Sequence, residues 1–409
     1  MLISFRVKNS RSIKDSVLDL TCTPDKAIVD GKIQSLTDTD SGAVGVVPVM
    51  SIFGANASGK SNLLKALMNL QHFILTNGIS MREPFKLDEV SQNAPTEYVA
   101  ELMLGGQHCE YRLQFDDVHV LHESLYILSG GERKCIFDVD IEEDKKIVSL
   151  AGDFLECCGA DYNFRGPFLV FMYKLQNQED LKCLEMPEYN LMRDVFDFFS
   201  NKLSVIDNIR GQNIVGFKEN EDECGHVLKV GDVLREMGLD LALATYQSMQ
   251  SDDVENCINY YHPGANGGYY KLKSFKEESL GTRNLLLFVQ RVVDVLNKGT
   301  CLCVDEIDRT LHTDIIVFIL QLFKSRKFNK NGAQLICTSH NPCIMMWLNK
   351  FEITVVSKFC QVSTFAKLSK EEFGVNENTK LLEEYLDGSF GGVSLMNVSM
   401  FYDDGIQEL

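Results

Sequence analysis

One stretch of eight residues limits what this chain can fold into. Gly54-Ala-Asn-Ala-Ser-Gly-Lys-Ser61 fits G-x-x-x-x-G-K-[ST] and directly follows the apolar run Val46-Val-Pro-Val-Met-Ser-Ile-Phe53. That run reads as a buried strand. The residues after the loop, Asn62 to Phe73, carry apolar side chains at helical spacing. A strand, a glycine-rich loop and a helix in this order form a phosphate cradle. The glycines let the backbone approach an anion, and the helix start points free N–H groups and its positive dipole end at it. By composition alone the pattern should occur in about one chain in a hundred of this length, and the flanking elements lower that further. The feature implies a nucleoside triphosphate site. Gly54, Asn56, Gly59 and Asn62 would line it, Lys60 would reach the β- and γ-phosphates, and Ser61 would hold Mg²⁺.

Composition narrows the class. A chain of 409 residues allows two or three domains, and 45% hydrophobic with 24% charged residues is ordinary for a globular protein. The sequence has no apolar run of about 18 residues, and Met1–Lys8 alternates like a strand rather than a signal peptide. None of the 13 cysteines forms a C-x-x-C pair, and their spacing matches no structural zinc site. Cys301 and Cys303 read as small core residues, and scattered thiols imply a reducing cytoplasm. The net charge of −18 argues against a general nucleic-acid coat, which would need a basic excess.

The pattern along the chain predicts an α/β protein. Strands are expected at Leu2–Val7, Ser16–Cys22, Val46–Phe53, Tyr98–Leu104, Glu110–Phe115 and Val120–Leu128, the last three in an antiparallel subdomain beside the phosphate loop. Helical spacing dominates Glu188–Leu203 and Val227–Met237, with no sustained heptads that would build a coiled-coil arm. Tyr269–Phe275 reads as a strand returning to the core. Helix Leu285–Leu296, strand Thr300–Val304, helix Thr313–Lys324, strand Ala333–Thr338, helix Pro342–Leu348 and strand Phe351–Ser357 then alternate, which implies βαβ units on a parallel sheet. The expected division is an N-terminal lobe over 1–165, a short helical insertion over 166–265 and a C-terminal lobe over 266–409.

Chemistry recurs at the ends of the later strands. Cys301-Leu-Cys-Val-Asp-Glu306 runs apolar and ends in two carboxylates, at the strand edge where a parallel sheet binds ligands. Neighbouring strand residues face opposite ways, so Asp305 would hold Mg²⁺ while Glu306 orients and polarises the attacking water. Gln334–His340 ends in a histidine positioned to donate a hydrogen bond to the γ-phosphate. Ser279-Leu-Gly-Thr-Arg283 opens an amphipathic helix and forms a second anion-binding helix start. Two cradles serve one nucleotide only if subunits share it.

With these motifs in hand, the chain resembles ABC-type ATPases of the SMC/RecF-like branch, and more narrowly the AAA-labelled ATPases of bacterial abortive-infection and anti-phage systems. The resemblance runs from Phe5–Asp15 through Gly54–Ser61, Glu277–Arg283 and Val304–His312 to Gln334–Asn341 and Tyr385–Gly392. Ser10 stands where that family usually has an aromatic residue, and Val393-Ser394 where it often has proline. The resemblance implies an ABC-type head with a mixed sheet core, ATP and Mg²⁺ as cofactors, and a homodimer or larger assembly. In it, Ser279 and Gly281 of one subunit close over the nucleotide of the other. It also implies a phosphate contact by Arg11, a D-loop role for His312, and a separate effector protein such as a nuclease or toxin. A DNA-stimulated repair ATPase and a slowly hydrolysing scaffold are the alternative readings.

Overall fold

The computed structural model describes residues 1–23, 45–76, 82–142, 145–150, 166–174, 186–207, 233–234, 236–237, 242–246, 258–271, 277, 279–309, 311–376 and 378–393. Two large sheets dominate these residues. The strands of the first half are β1 (Leu2–Ser10), β2 (Ile13–Asp19), β3 (Thr21–Cys22), β4 (Gly45–Val46), β5 (Val49–Phe53), β6 (Thr96–Leu104), β7 (Gln107–Phe115), β8 (Val120–Ser129), β9 (Glu132–Glu142) and β10 (Lys145–Leu150). Those of the second half are β11 (Leu203–Ile206), β12 (Ala242–Tyr246), β13 (Ile258–Pro263), β14 (Tyr269–Lys271), β15 (Cys301–Val304), β16 (Gln334–Ser339), β17 (Ile353–Phe359) and β18 (Val362–Lys367).

The core sheet has the order β11-β15-β16-β5-β17-β18, parallel except for the β17–β18 hairpin. Both of its faces are covered, which is why its strands read as continuous apolar runs. On one face Met50, Ile52, Cys301, Cys303 and Ile336 join the cluster that contains helix α1 (Lys60–Thr76) and the inner face of the antiparallel sheet. On the other, Val49, Phe53, Leu302, Val304 and Leu335 meet the later helices Leu280–Lys298 and Thr313–Lys324. The expectation of Cys301 and Cys303 as small core residues fits their full burial.

The antiparallel sheet runs β10-β9-β8-β7-β6-β1-β2. It is larger than the sequence pattern suggested, because β9 alternates with charges (Glu-Arg-Lys-Cys-Ile-Phe-Asp-Val-Asp) and hides its apolar inner row. The main-chain groups of Leu2 are held by the Gln334 amide at 2.7 and 2.8 Å, which ties this sheet to the core. Glu123 on β8 is fully buried and faces inward. It accepts from Tyr111 Oη at 2.9 Å, from the Leu169 N–H at 3.0 Å and from the Phe168 N–H, docking α2 (Phe168–Lys174) on the sheet. Burial pushes its carboxyl up to about 7 against the pull of those three donors.

Other expectations shift in detail. The helix read over Glu188–Leu203 runs Pro187–Asp197, widens into a π turn at Phe198–Lys202 and gives way to β11, whose Leu-Ser-Val-Ile pairs with β15. The span 166–265 therefore adds a core strand and the β12–β13 pair to its helices. β14 belongs to the three-stranded sheet β12-β13-β14 rather than the core sheet, because it pairs with β13 through Tyr261 and Lys271. Pro342–Trp347 is a short 3₁₀ helix and not an α-helix, with the Asn341 side chain capping its start by accepting from the Cys343 N–H. Most of the helix expected at Val227–Met237 lies outside the described residues. Among the described residues no helix is long and apolar enough to cross a membrane.

Candidate functional site

β5 delivers the glycine loop to the C-terminal edge of the core sheet, beside the ends of β15 and β16. Gly59 sits at φ +105°, and a Cβ there would lie 2.2 Å from Ser363 Oγ and 2.7 Å from Ser12 Oγ. Only glycine fits that approach. Lys60 opens α1 and is almost fully buried; its Nζ donates to the carbonyls of Gly54 (2.7 Å) and Ala55 (3.0 Å) and lies 3.3 Å from His340 Nδ1. Burial lowers the Lys60 pKa, while Asp305, Asp308 and Glu306 pull it back up.

The acids converge on the same edge. Ser61 Oγ donates to Asp305 Oδ1 at 3.0 Å. Thr338 Oγ1 donates to the same oxygen at 2.6 Å and accepts from the Glu306 N–H at 2.7 Å. Glu306 has φ +49°, a left-handed conformation that a non-glycine residue holds at a cost of about 1–3 kcal/mol. This turn separates the two carboxylates. Asp305 is buried, whereas the Glu306 side chain is one-third exposed, with Oε1 3.7 Å from His340 Nε2 and Oε2 3.2 Å from Arg309. The His340 N–H is fixed by the Asp308 carboxylate at 3.1 and 3.2 Å.

A hydroxyl-bearing loop against oxygen-only acids suits Mg²⁺, which takes hard oxygen ligands. The Ser61–Asp305 pair offers two such oxygens, and the loop around Gly59 offers the close backbone approach a phosphate needs.

The chain matches the family described as "AAA domain, putative AbiEii toxin, Type IV TA system" over residues 49–141 and 229–345, more than half of its length. The chain belongs to this AAA ATPase family. None of the curated proteins matches it. Its structure is similar to the SMC head domain from Thermotoga maritima, at 11% identity and a TM-score of 0.36, covering 90% of this chain and 98% of that one. It is also similar to the Smc head domain with an extended coiled coil bound to the C-terminal domain of ScpA derived from Pyrococcus furiosus. There the identity is 13% and the TM-score 0.43, covering 94% and 99% of the two chains. A SmcHead bound to the C-winged helix domain of ScpA gives 13% identity and a TM-score of 0.42, covering 91% and 99%. The family assignment rests on the sequence match.

In this AbiEii-type AAA chain, the loop residues Gly54, Gly59, Lys60 and Ser61 stand together with Asp305, Glu306 and His340. Asn56 is exposed on the loop, and Asn62 donates to Ser12 Oγ at 2.7 Å. Arg11 sits in the β1–β2 turn at φ +53°, with its guanidinium on Glu83. It lines a cavity of about 260 Å³ with Ser12 and Lys358, and Lys358 reaches the Ala57 carbonyl at 3.3 Å. Ser279 and Gly281 are exposed at the start of the helix Leu280–Lys298; their bonds are local, with Ser279 Oγ accepting from the Thr282 N–H at 3.1 Å. His312 is exposed and caps the helix Thr313–Lys324.

Several contributors escaped the sequence reading. Ser12 and Ser363 hydroxyls lie 2.6 Å apart, and Ser363 Oγ donates to the Ser58 carbonyl at 2.6 Å, clamping the loop between two hairpin turns. Thr338 was within reach of sequence reasoning, since it lies two positions before His340 on the strand that leads to it. Gly392, at φ +73°, lies with its Cβ position 3.5 Å from Gly54 Cα, so the glycine-rich tail backs the loop. Tyr385, whose ring meets Phe53 at 6.3 Å between centroids, holds that tail through a 3.3 Å bond to the Gly392 carbonyl.

Proposed function

We propose that the chain binds ATP with Mg²⁺ at this edge, hydrolyses it, and works as the sensor and switch subunit of a bacterial anti-phage system that controls a separate effector. The observation that carries the nucleotide reading is the convergence of Ser61 and Asp305 at 3.0 Å beside a buried Lys60. Ser61 and Asp305 would hold the metal, which supplies charge neutralisation on the β- and γ-phosphate oxygens. The Lys60 ammonium would exchange its two carbonyl partners for phosphate oxygens, a stronger charge-assisted bond. Glu306 would accept the proton of the attacking water, and His340 would donate to the γ-phosphate. Arg11 would add a further cation, freed from Glu83.

The exposed Ser279 and Gly281 support a shared site, because an exposed helix start suits the phosphates of a nucleotide held by a second copy. A homodimer closing on ATP and opening after hydrolysis would then be the switch. The family's printed link to a type IV toxin–antitoxin system supports a toxin-class partner in a bacterial cytoplasm. The region of about residues 165–240 is the proposed partner surface, since the phosphate chemistry makes no use of it. The three-part division at 165 and 265 stands as part of this reading.

The test is direct. Lys60→Ala should abolish nucleotide binding, and Glu306→Gln should retain binding while trapping an ATP-bound dimer. Unchanged ATP affinity in the first, or undiminished turnover in the second, would remove the assignment. Strong activation by DNA alone would favour the repair reading over the switch.

A further inference from the structure

The outer face of the antiparallel sheet matches its acids with bases. Asp15 pairs with Arg6 at 2.7 Å, Glu97 with Lys8 at 3.2 Å, and Glu110 with Arg133 at 2.5 Å. One cluster on that face departs from this pairing with lysine or arginine. His122 on β8 stands directly opposite Asp140 on β9, and Asp138 lies two residues before Asp140, so all three share one face. Their ligand atoms lie within 4.8 Å of one another. Among the described residues neither aspartate has a Lys or Arg partner; Asp138 meets only His122 Nε2, at 2.9 Å, and the Tyr126 hydroxyl. Two carboxylates and an imidazole thus meet at one place on the outer face, and the Arg133 guanidinium lies over the Tyr126 ring rather than on either acid.

We propose that His122, Asp138 and Asp140 form a binding site for one divalent first-row transition ion, separate from the nucleotide edge. The donor set of one imidazole nitrogen and two carboxylate oxygens suits a borderline ion of the Mn²⁺ or Zn²⁺ class, and the exposed side of Asp140 leaves room for water ligands. The ion takes the place of the hydrogen bond between His122 Nε2 and Asp138 Oδ1, with the ring proton carried on Nδ1, so the ligand is a neutral imidazole and no net proton is released. Tyr126 orients Asp138 by donating to its other oxygen, the arrangement by which outer hydrogen bonds aim a ligating carboxylate. Because the three ligands come from two neighbouring strands, the ion would clip β8 to β9 and stabilise their pairing in proportion to its affinity.

Mn²⁺ is the probe of choice, since the chain's thiols compete poorly for it. Titration of the nucleotide-free full chain, followed by loss of the free-ion electron paramagnetic resonance signal, should give one bound ion outside the nucleotide edge. His122→Ala and Asp140→Asn should each weaken it at least about tenfold, and Tyr126→Phe by about tenfold. Asp305→Asn should leave it in place. Spin-echo modulation from an imidazole nitrogen should be present in the unaltered chain and absent in His122→Ala. Absence of binding, or equal binding in His122→Ala and Asp140→Asn, overturns the proposal, as does a nitrogen signal that survives His122→Ala. Should His122→Ala fail to fold, the near-isosteric Asp140→Asn and the nitrogen signal of the unaltered chain decide the matter.

Discussion

Glu123 offers the sharpest physical test of how the fold is fastened. Replacing it with alanine removes the acceptor for the Phe168 and Leu169 N–H groups and the Tyr111 hydroxyl, all at a carboxylate with no exposure. Each buried donor that loses this acceptor costs up to about 1–3 kcal/mol. Water reaching some of them lowers the sum, so the expected loss is about 3–6 kcal/mol, a large share of the 5–15 kcal/mol typical of a domain. Glu123→Gln keeps one acceptor oxygen but turns an NH₂ toward a donor, so it should cost roughly half as much. The pH dependence has a definite sign. The folded carboxyl titrates at about 7 and the unfolded one at 4.5, so the folded state binds more protons between those values. The contribution of Glu123 is then fully present below pH 4.5 and declines as pH rises to 7, by about 3 kcal/mol. Urea unfolding in chelator, with hydrogen exchange of the peptide spanning residues 166–174, reads both effects. An alanine variant within about 1 kcal/mol of the unaltered chain, or a glutamine variant with the same pH slope as the parent, would refute the reasoning.

Three further outcomes concern the nucleotide edge. Gly59→Ala places a Cβ 2.2 Å from Ser363 Oγ at φ +105°, so nucleotide affinity measured by calorimetry should be lost while the melting temperature falls by only a few degrees. Thr338→Val removes the hydroxyl that joins Asp305 to the Glu306 N–H; hydrolysis should drop by about tenfold to a hundredfold with nucleotide affinity little changed, checked by steady-state turnover against equilibrium binding. Mixing Lys60→Ala with Ser279→Arg chains should restore one composite site, and a mixture as inactive as its parts, with both variants folded, would count against the shared nucleotide.

What was legible in the sequence was contiguous. The loop Gly54–Ser61, the acid pair at the end of β15 and the histidine at the end of β16 each sit within one strand-to-loop transition, where local pattern and chemistry coincide. The regular helices Leu280–Lys298 and Thr313–Lys324 carried the same advantage, because one amphipathic face fixes their period. Features set by long-range register stayed hidden. Ser12 and Ser363 meet across 351 positions, and nothing local marks either serine. His122 and Asp140 become neighbours only once β8 and β9 pair. β11 was absorbed into the preceding helix, since four residues give too short a window to separate period 2 from period 3.6.

The order of strands in the core sheet also constrains how the molecule is made. β5, which carries the phosphate loop, lies between β16 and β17, both of which follow it by about 280 residues or more. On a ribosome adding about 5–20 residues per second, β5 leaves the exit tunnel and waits roughly 15–60 s with both edges unpaired. During that interval Val49–Phe53 is an apolar strand without neighbours, the kind of segment that invites wrong pairing or chaperone capture. The nucleotide edge is thus among the last parts of the protein to exist, and a chain cut short before about residue 360 would carry the loop without the sheet that shapes it.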